Sequence, residues 1–317
     1  MIISITGTDE SRNGAISAVT ALSAVSAVKF SQKTLVLPLF NAKESVDIML
    51  NGVNIEKQDT SQDRDFKDTG IDGLMRRAVS SNVGQKHFNG LCSPMLKGQN
   101  MLDVAECSDK EDFDQESLKR IDSIKFLLKK ANDFYNCVFV MADNNNKELK
   151  ESLLDVADIN IFCVKQGKIE KIDCKDKSKA IILVTGFNSE SKFTLNSMKK
   201  AYKGYKLEVM PFNIEFRDSK YSENALSYFI KNESVETNNP NYDFITALST
   251  IYENITENKS RDEDLSEEIE NTENAEATIS QDVLFQETLK INRVFEELVE
   301  MEEIPGNPIK KKKSFFG

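Results

Sequence analysis

The first thirty residues constrain the fold more than any other stretch of this chain. The run Met1–Gly7 is apolar and β-branched up to its glycine, and a short polar loop follows it. Gly14 then opens a run of small residues that continues to Phe30 without another glycine. This order predicts a buried first strand, a loop at its carboxyl end and a first helix packed closely on a sheet.

The loop has the position of a phosphate-binding loop but not its chemistry. A P-loop, G-x-x-x-x-G-K-[ST], needs a lysine for the β/γ oxygens and a hydroxyl for Mg²⁺. With Gly14 as the second glycine, these positions fall on Ala15 and Ile16; with Gly7 as the first, they fall on Asn13 and Gly14. Neither register fits.

The charges of the loop also disfavour a triphosphate. Asp9 and Glu10 place two carboxylates where the phosphates would lie, against the single cation of Arg12. Like charges repel strongly in a partly desolvated loop. The sequence therefore predicts no ATP hydrolysis here.

Composition limits the class of protein. The 317 residues contain no apolar run of membrane-spanning length, and a cytoplasmic protein is expected. The five cysteines show no C-x-x-C spacing, so neither a disulfide framework nor a zinc site is predicted. His87, the only histidine, is expected in a loop. The net charge of −11 lies mainly after residue 254, and no basic stripe with interleaved aromatics points to nucleic acid.

Strands alternate with helices along the rest of residues 1–254. Apolar runs predict strands at 33–40, 101–105, 137–142, 159–164, 180–185 and 207–211. Helical spacing of apolar residues predicts helices at 45–50, 70–78, 117–135, 147–156, 191–203, 222–231 and 242–254. This pattern predicts an α/β fold with a doubly wound, mostly parallel sheet flanked by helices.

The order of motifs resembles the ParA/MinD branch of P-loop ATPases, especially its CpaE/TadZ-like members. Phe134–Val140 resembles the family's approach to the Walker B motif, and Leu154–Ile159 resembles its "ELADxV" step. Phe187–Leu195 resembles a "RYDxxSKYTLKNI" stretch, and Met210–Phe216 resembles an "IPYNxxF" segment. The resemblance covers residues 1–254 and implies a P-loop (SIMIBI-type) fold in which the last segment lies against adenine.

The sequence departs from that family at the positions that do its chemistry. The Walker B aspartate falls on Met141, which cannot hold Mg²⁺, although Asp143 follows two residues later. The signature lysine expected near Thr8 or Glu10 is missing, and the second strand ends in Pro38-Leu39-Phe40 where relatives often carry an aspartate. Loss of catalysis explains these departures together.

The C-terminal part divides into three further segments. Residues 255–281 are acidic and nearly devoid of apolar residues, which predicts a disordered linker. Residues 282–304 predict an amphipathic helix, which either folds back on the domain or docks in a groove of a partner. Residues 305–317 form a basic tail, at most a peripheral membrane contact. The predicted partner-binding residues are Leu284, Leu289, Ile291, Phe295, Leu298, Phe315 and Phe316.

These observations predict a pseudo-ATPase that acts as a scaffold or positioning factor for a membrane-associated pilus, secretion or conjugation assembly. No catalytic or metal-binding residue is predicted, and no cofactor is expected. Partners would be a protein bound through the C-terminal helix and tail, or a second copy in a homodimer. The alternative is an unorthodox ATPase in positioning or DNA segregation, or a protein that binds ATP with Mg²⁺ without hydrolysing it. Its nucleotide-binding residues would be Gly7, Arg12, Asn13, Gly14, Asp143, Pro211, Phe212 and Asn213.

Overall fold

The computed structural model describes residues 1–7, 13–40, 46–51, 69–98, 101–108, 120–142, 147–172 and 174–268. Its centre is one sheet of eight strands in the order β3-β4-β2-β5-β1-β6-β7-β8. All neighbours run parallel except β3, which pairs antiparallel with β4 at one edge. The strands are β1 (Ile2–Gly7), β2 (Thr34–Leu39), β3 (Cys92–Leu96), β4 (Leu102–Ala105), β5 (Cys137–Ala142), β6 (Ile159–Lys165), β7 (Ala180–Phe187) and β8 (Lys206–Pro211).

Helices cover both faces of this sheet, which confirms the predicted doubly wound fold. Their bounds are α1 (Asn13–Val28), α2 (Val46–Asn51), α3 (Gly70–Val79), α4 (Gln85–Leu91), α5 (Ile121–Phe134), α6 (Lys147–Val156), α7 (Leu195–Ala201), α8 (Ile214–Tyr221), α9 (Ala225–Lys231) and α10 (Tyr242–Glu268). Strands β1, β2 and β5 are buried along their whole length, because both of their faces are covered.

The two faces form separate hydrophobic cores. On one face α1, α2, α9 and α10 pack on Ile3, Ile5, Phe139 and their neighbours. On the other, α3, α5 and α6 pack on the opposite side chains of β2 and β5, such as Leu37 and Val140. A smaller cluster on that second face joins α7 to β6 and β7. The alternation of side chains along each strand divides the residues between the faces.

Several elements differ from the sequence prediction. Strand β3 and helix α4 were not predicted, and His87 lies in α4 rather than in a loop, where its Nδ1 accepts a hydrogen bond from the Gly84 N–H. Helix α8 was also not predicted. Helix α10 continues to Glu268 rather than ending at residue 254, so residues 255–268 of the proposed linker are helical, and Ile255 is buried.

The predicted amphipathic helix at 282–304 and basic tail at 305–317 lie outside the described residues. The same holds for residues 269–281 of the proposed linker. Among the helices that the structure describes, none has the length and apolar character needed to cross a membrane.

Candidate functional site

A crevice is expected at the carboxyl ends of β1 and β6. These two strands are neighbours, with Gly7 paired to Cys163, but their onward connections leave in opposite directions, to β2 and to β7. Ligands of open α/β sheets bind where the chain direction switches in this way. The loop after β1, with Arg12 and the carboxylates of Asp9 and Glu10, lies outside the described residues, as does Asp143.

The first turn of α1 is built for packing. An added Cβ on Gly14 would lie 2.6 Å from the hydroxyl oxygen of Thr185 on β7, so glycine allows the helix to approach the sheet closely. The next two residues, Ala15 and Ile16, are buried in the core beneath α1. The positions that would carry the phosphate-binding lysine and the magnesium-binding hydroxyl are therefore part of the hydrophobic core.

The end of β5 is apolar as well. Met141, at the position of the Walker B aspartate, is only 1% exposed and belongs to the same core as Ala15 and Ile16. Its neighbour Ala142 faces the opposite core. No carboxylate from β5 itself reaches the carboxyl edge of the sheet.

The loops after β6 and β7 are joined by one side chain, that of Gln166. Its Nε2 donates to the carbonyls of Asn188 (3.0 Å) and Phe193 (2.7 Å), and its Oε1 accepts from the Asn188 N–H at 2.9 Å. The Phe193 ring lies against Gly167, which has a φ of +84° and no room for a Cβ. The amide of Gln166 thus uses both its donor and its acceptor to hold residues 188–193 beside the crevice.

The segment predicted to contact adenine ends β8 at the same edge of the sheet. The Phe212 N–H donates to the Phe187 carbonyl at 2.9 Å, and the Phe212 ring is half exposed with the Arg217 guanidinium 5.6 Å from its centroid. Asn213 also has a structural role in this segment. Its Oδ1 accepts from the Phe216 N–H at 2.7 Å, so it is the N-cap of α8.

Asn213 also belongs to a partly buried hydrogen-bond network centred on Asn241. Asn213 Nδ2 donates to Asn241 Oδ1 at 2.9 Å, and Asn241 Nδ2 donates to Glu215 Oε2 at 2.7 Å and to Asn232 Oδ1 at 3.2 Å. The network ties the end of β8 to α8, α9 and the start of α10. Because Oδ1 and Nδ2 of Asn213 each make one of these hydrogen bonds, its side chain fixes this segment.

One cation near the crevice was not found from the sequence. Lys220, on α8, donates a hydrogen bond from Nζ to the Ser17 hydroxyl on α1, and its ammonium lies 5.2 Å from the centroid of the Phe216 ring. Ser17 lies one turn after Gly14. An unpredicted helix, α8, thus brings a lysine to the N-terminal part of α1 from 203 residues away in sequence.

The structure therefore brings together only part of the predicted site. Gly7, Gly14 and the Pro211–Asn213 segment lie along one edge of the sheet, and Asn13 begins α1. The predicted partner-binding residues from Leu284 to Phe316 lie outside the described residues. Within the part of the chain that the structure describes, no three His, Cys, Asp or Glu side chains cluster as metal ligands would.

Comparison with known proteins gives a structural relationship without a sequence relationship. No protein-family model matches the sequence, and no curated protein matches it significantly. A ParA-family ATPase from Chlorobium tepidum superposes with a TM-score of 0.58 at 9% identity, over 79% of this chain and 98% of its own. The chain has the ParA/MinD fold.

Two further structures with the ParA/MinD fold support this assignment. The cell division ATPase MinD from Pyrococcus furiosus gives a TM-score of 0.53 at 13% identity, over 80% of this chain and 98% of its own. A chain of the MinC:MinD cell division protein complex from Aquifex aeolicus gives 0.51 at 12% identity, over 78% and 93%. At sequence identities this low, the superpositions establish the fold alone. The activity has to be argued from the residues at the crevice.

Proposed function

We propose that this chain is a catalytically degenerate ParA/MinD-like protein of the CpaE/TadZ-like type. It acts as a scaffold or positioning factor for a membrane-associated pilus, secretion or conjugation assembly. It stays in the cytoplasm and reaches the membrane through a protein partner. The ParA/MinD fold supplies surfaces for assembly in this proposal, and not a site for ATP hydrolysis.

One observation carries the loss of catalysis. Ala15, Ile16 and Met141 occupy the positions of the phosphate-binding lysine, the magnesium-binding hydroxyl and the Walker B aspartate, and all three are buried in one hydrophobic core. Phosphoryl transfer depends on positioned cations and a held Mg²⁺, because the protein has little covalent chemistry to perform. With apolar side chains buried at all three positions, the crevice lacks the lysine, the hydroxyl and the aspartate together.

The partner is proposed to be a protein bound through residues 282–317. The amphipathic pattern of Leu284, Leu289, Ile291, Phe295 and Leu298 is typical of a helix that lies in a hydrophobic groove. The Aquifex structure shows a MinD protein in complex with MinC. A relative of the same fold that works with a protein partner supports the proposal by analogy.

A second candidate function is nucleotide binding without hydrolysis. Lys220 reaches Ser17 at the N-terminal part of α1, and Pro211 and Phe212 lie at the same edge of the sheet. With Arg12, Lys220 would supply the positive charge that the loop lacks, and Mg²⁺ with ATP would be the ligand. This candidate requires Asp9 and Glu10 to point away from the phosphates.

Calorimetric titration of ATP with Mg²⁺ into the full chain separates the two candidates. The degenerate protein gives no binding heat and no rise in melting temperature at millimolar nucleotide. Micromolar binding that is lost in Arg12→Ala or Lys220→Ala, and kept in Lys231→Ala on α9, would establish the second candidate. Lys231 is exposed at the end of α9 and serves as a matched lysine control.

The scaffold role is tested in cells that contain the assembly. A fluorescent fusion of the full chain is expected to form foci at the membrane, whereas the Leu284→Ser/Phe295→Ser variant is expected to be diffuse at equal abundance. A Thr288→Ser variant in the same segment is the control. Foci that persist in the double variant would contradict the proposed role of this segment.

A further inference from the structure

One stretch of this acidic protein is strongly basic. Residues 165–206 contain eleven lysines, no arginine and four carboxylates, a formal balance of +7 in a chain of net charge −11. The stretch includes the connection between β6 and β7 and the whole of α7. The near-neutral total charge of residues 1–254 conceals this basic stretch.

The fold gathers these lysines on one face. The β6–β7 connection and α7 both pack over the same cluster, which contains Phe162, Val184 and Met198. The connection also contacts the end of α7 and the turn after it: the Glu170 N–H donates to the hydroxyl of Tyr202, the C-cap of α7, at 3.1 Å, and the Tyr205 hydroxyl donates to the Ile172 carbonyl at 3.4 Å. The connection and the helix therefore lie side by side and form one continuous outer surface.

The lysines of this surface point outward. Six exposed ones, three from the connection and three from α7 and the turn after it, define what we term the lysine surface: Lys171, Lys175, Lys177, Lys199, Lys200 and Lys203. The Lys177 ammonium lies 5.0 Å from the centroid of the Tyr205 ring, in the turn between α7 and β8.

Its chemistry favours carboxylates on a short segment. Lysine acts as a point charge without the planar geometry that arginine offers to phosphates and bases, and the surface has no arginine. The large apolar side chains that are exposed in the described residues, such as Phe212 and Tyr221, lie elsewhere, so no hydrophobic anchor for a membrane is present here. Tyr202 is buried, and Phe193 and Tyr205 are half-buried, which disfavours stacking on unpaired bases.

The net charge of the whole chain adds a second argument. At −11 the protein repels extended polyanions such as duplex DNA or an anionic bilayer as they approach, because their charge extends beyond the lysine surface. A short acidic segment feels mainly the exposed lysines closest to it, since salt screens charges beyond about 10 Å. One of them, Lys175, lies 3.9 Å from the Asp155 carboxylate and keeps 81% of its side chain exposed. We propose that the lysine surface is a docking site for an acidic peptide segment of a protein partner.

A synthetic peptide of about twelve glutamates is a suitable probe, followed by fluorescence anisotropy with the full chain. We expect micromolar binding at about 50 mM salt that weakens at least about tenfold at about 300 mM. The variant Lys199→Glu/Lys200→Glu/Lys203→Glu should lose at least about tenfold in affinity. Circular dichroism and the melting temperature confirm that the variant is folded.

A control variant separates local charge from net charge. Lys29→Glu/Lys86→Glu/Lys97→Glu changes three exposed lysines outside the surface and alters the net charge equally. It should bind the peptide within about twofold of the original chain, because the surface itself is intact. Equal losses in both variants, or no peptide binding at all, would overturn the proposal.

Duplex DNA and anionic vesicles are the two competing ligands that the experiment also tests. A duplex DNA of about 20 base pairs and vesicles with about 30% anionic lipid are titrated under the same conditions. Tighter binding to either of them than to the peptide, lost in the α7 variant, would assign the surface to that polyanion and overturn the proposal. The test uses no nucleotide, so its result is independent of the proposed loss of catalysis.

Discussion

Gly14 and Thr185 lie in contact across the carboxyl edge of the sheet, 171 positions apart in sequence. A Cβ on Gly14 would lie 2.6 Å from Thr185 Oγ1, closer than side chains pack. The glycine that most suggests a phosphate loop is therefore explained by the approach of α1 to β7. If packing explains Gly14, its substitution should lower the stability of the protein even without a nucleotide.

Gly14→Ala is expected to destabilise the protein by about 1–2 kcal/mol, because overpacking outweighs the better helix propensity of alanine. Thr185→Ala removes the opposing hydroxyl, so the double variant should recover most of that loss. Chemical denaturation of the original chain, the two single variants and the double variant measures the coupling free energy between residues 14 and 185. Additive effects would show that the close approach does not determine the residue at position 14.

Asp103 and Tyr135 form a buried pair near the other end of the sheet. The Tyr135 hydroxyl donates to Asp103 Oδ2 at 2.6 Å, and burial raises the pKa of Asp103, against the opposing effects of this hydrogen bond and of Lys33. The folded state therefore favours the protonated carboxyl of Asp103 more than the unfolded state does. Its contribution to stability is complete below the unfolded pKa of about 3.9 and is lost as pH rises through the raised folded value.

Asp103→Asn should consequently stabilise the protein at pH 7, because the amide keeps an acceptor for Tyr135 without a buried charge. The gain should shrink as pH falls towards 4. Tyr135→Phe should cost about 1–3 kcal/mol at pH 7, since it leaves the carboxylate without its donor. Urea denaturation at several pH values measures the free energy of unfolding of both variants. A stabilisation by Asp103→Asn that grows on acidification would contradict the raised pKa of Asp103.

The strands of the sheet centre could be predicted because they are buried on both faces and their sequences are continuously apolar. The edge strand β3 could not, since Cys92–Leu96 is short and contains the exposed Pro94, which an edge strand tolerates. Helix α8 has a polar sequence, and its only signal was Asn213 as an N-cap, which the resemblance to an adenine-binding segment concealed.

The site was less predictable than the fold for a physical reason. The sequence identified which catalytic residue types are missing, because aligning the chain with the P-loop and Walker B motifs is enough to show this. It did not identify what holds the crevice, because the Gln166 amide, Lys220 and Asn241 act through contacts between elements distant in sequence. Such contacts depend on the order of strands in the sheet, which local patterns do not determine.

Asn213 gives a prediction about the segment after β8. Asn213→Ala should cost about 1–2 kcal/mol, because α8 loses its N-cap and Asn241 loses a donor. Asn213→Ser keeps a capping oxygen and should recover part of this cost. Thermal unfolding without nucleotide is the measurement. An unchanged stability in Asn213→Ala would contradict this structural role.

Gln166 is expected to control the order of the loop at 188–193. Gln166→Glu replaces two donated hydrogen bonds with a carboxylate facing the carbonyls of Asn188 and Phe193, which repels them. Hydrogen exchange in residues 188–194 should become at least about tenfold faster, with the central strands unaffected. Asn196→Ala, which removes an exposed amide on α7, is the control. Equal exchange in Gln166→Glu and the original chain would exclude this role.

Met141 allows a direct test of whether the lost chemistry can be restored. Met141→Asp returns the Walker B residue type, but the side chain at this position lies in the core with Ile5 and Phe139. A buried carboxylate without a partner should destabilise the protein by at least about 3 kcal/mol and give no ATPase activity. Met141→Leu preserves volume and should cost less than about 1.5 kcal/mol. A stable Met141→Asp protein that binds Mg²⁺ would show that this position faces the crevice, and the case for a degenerate site would then fail.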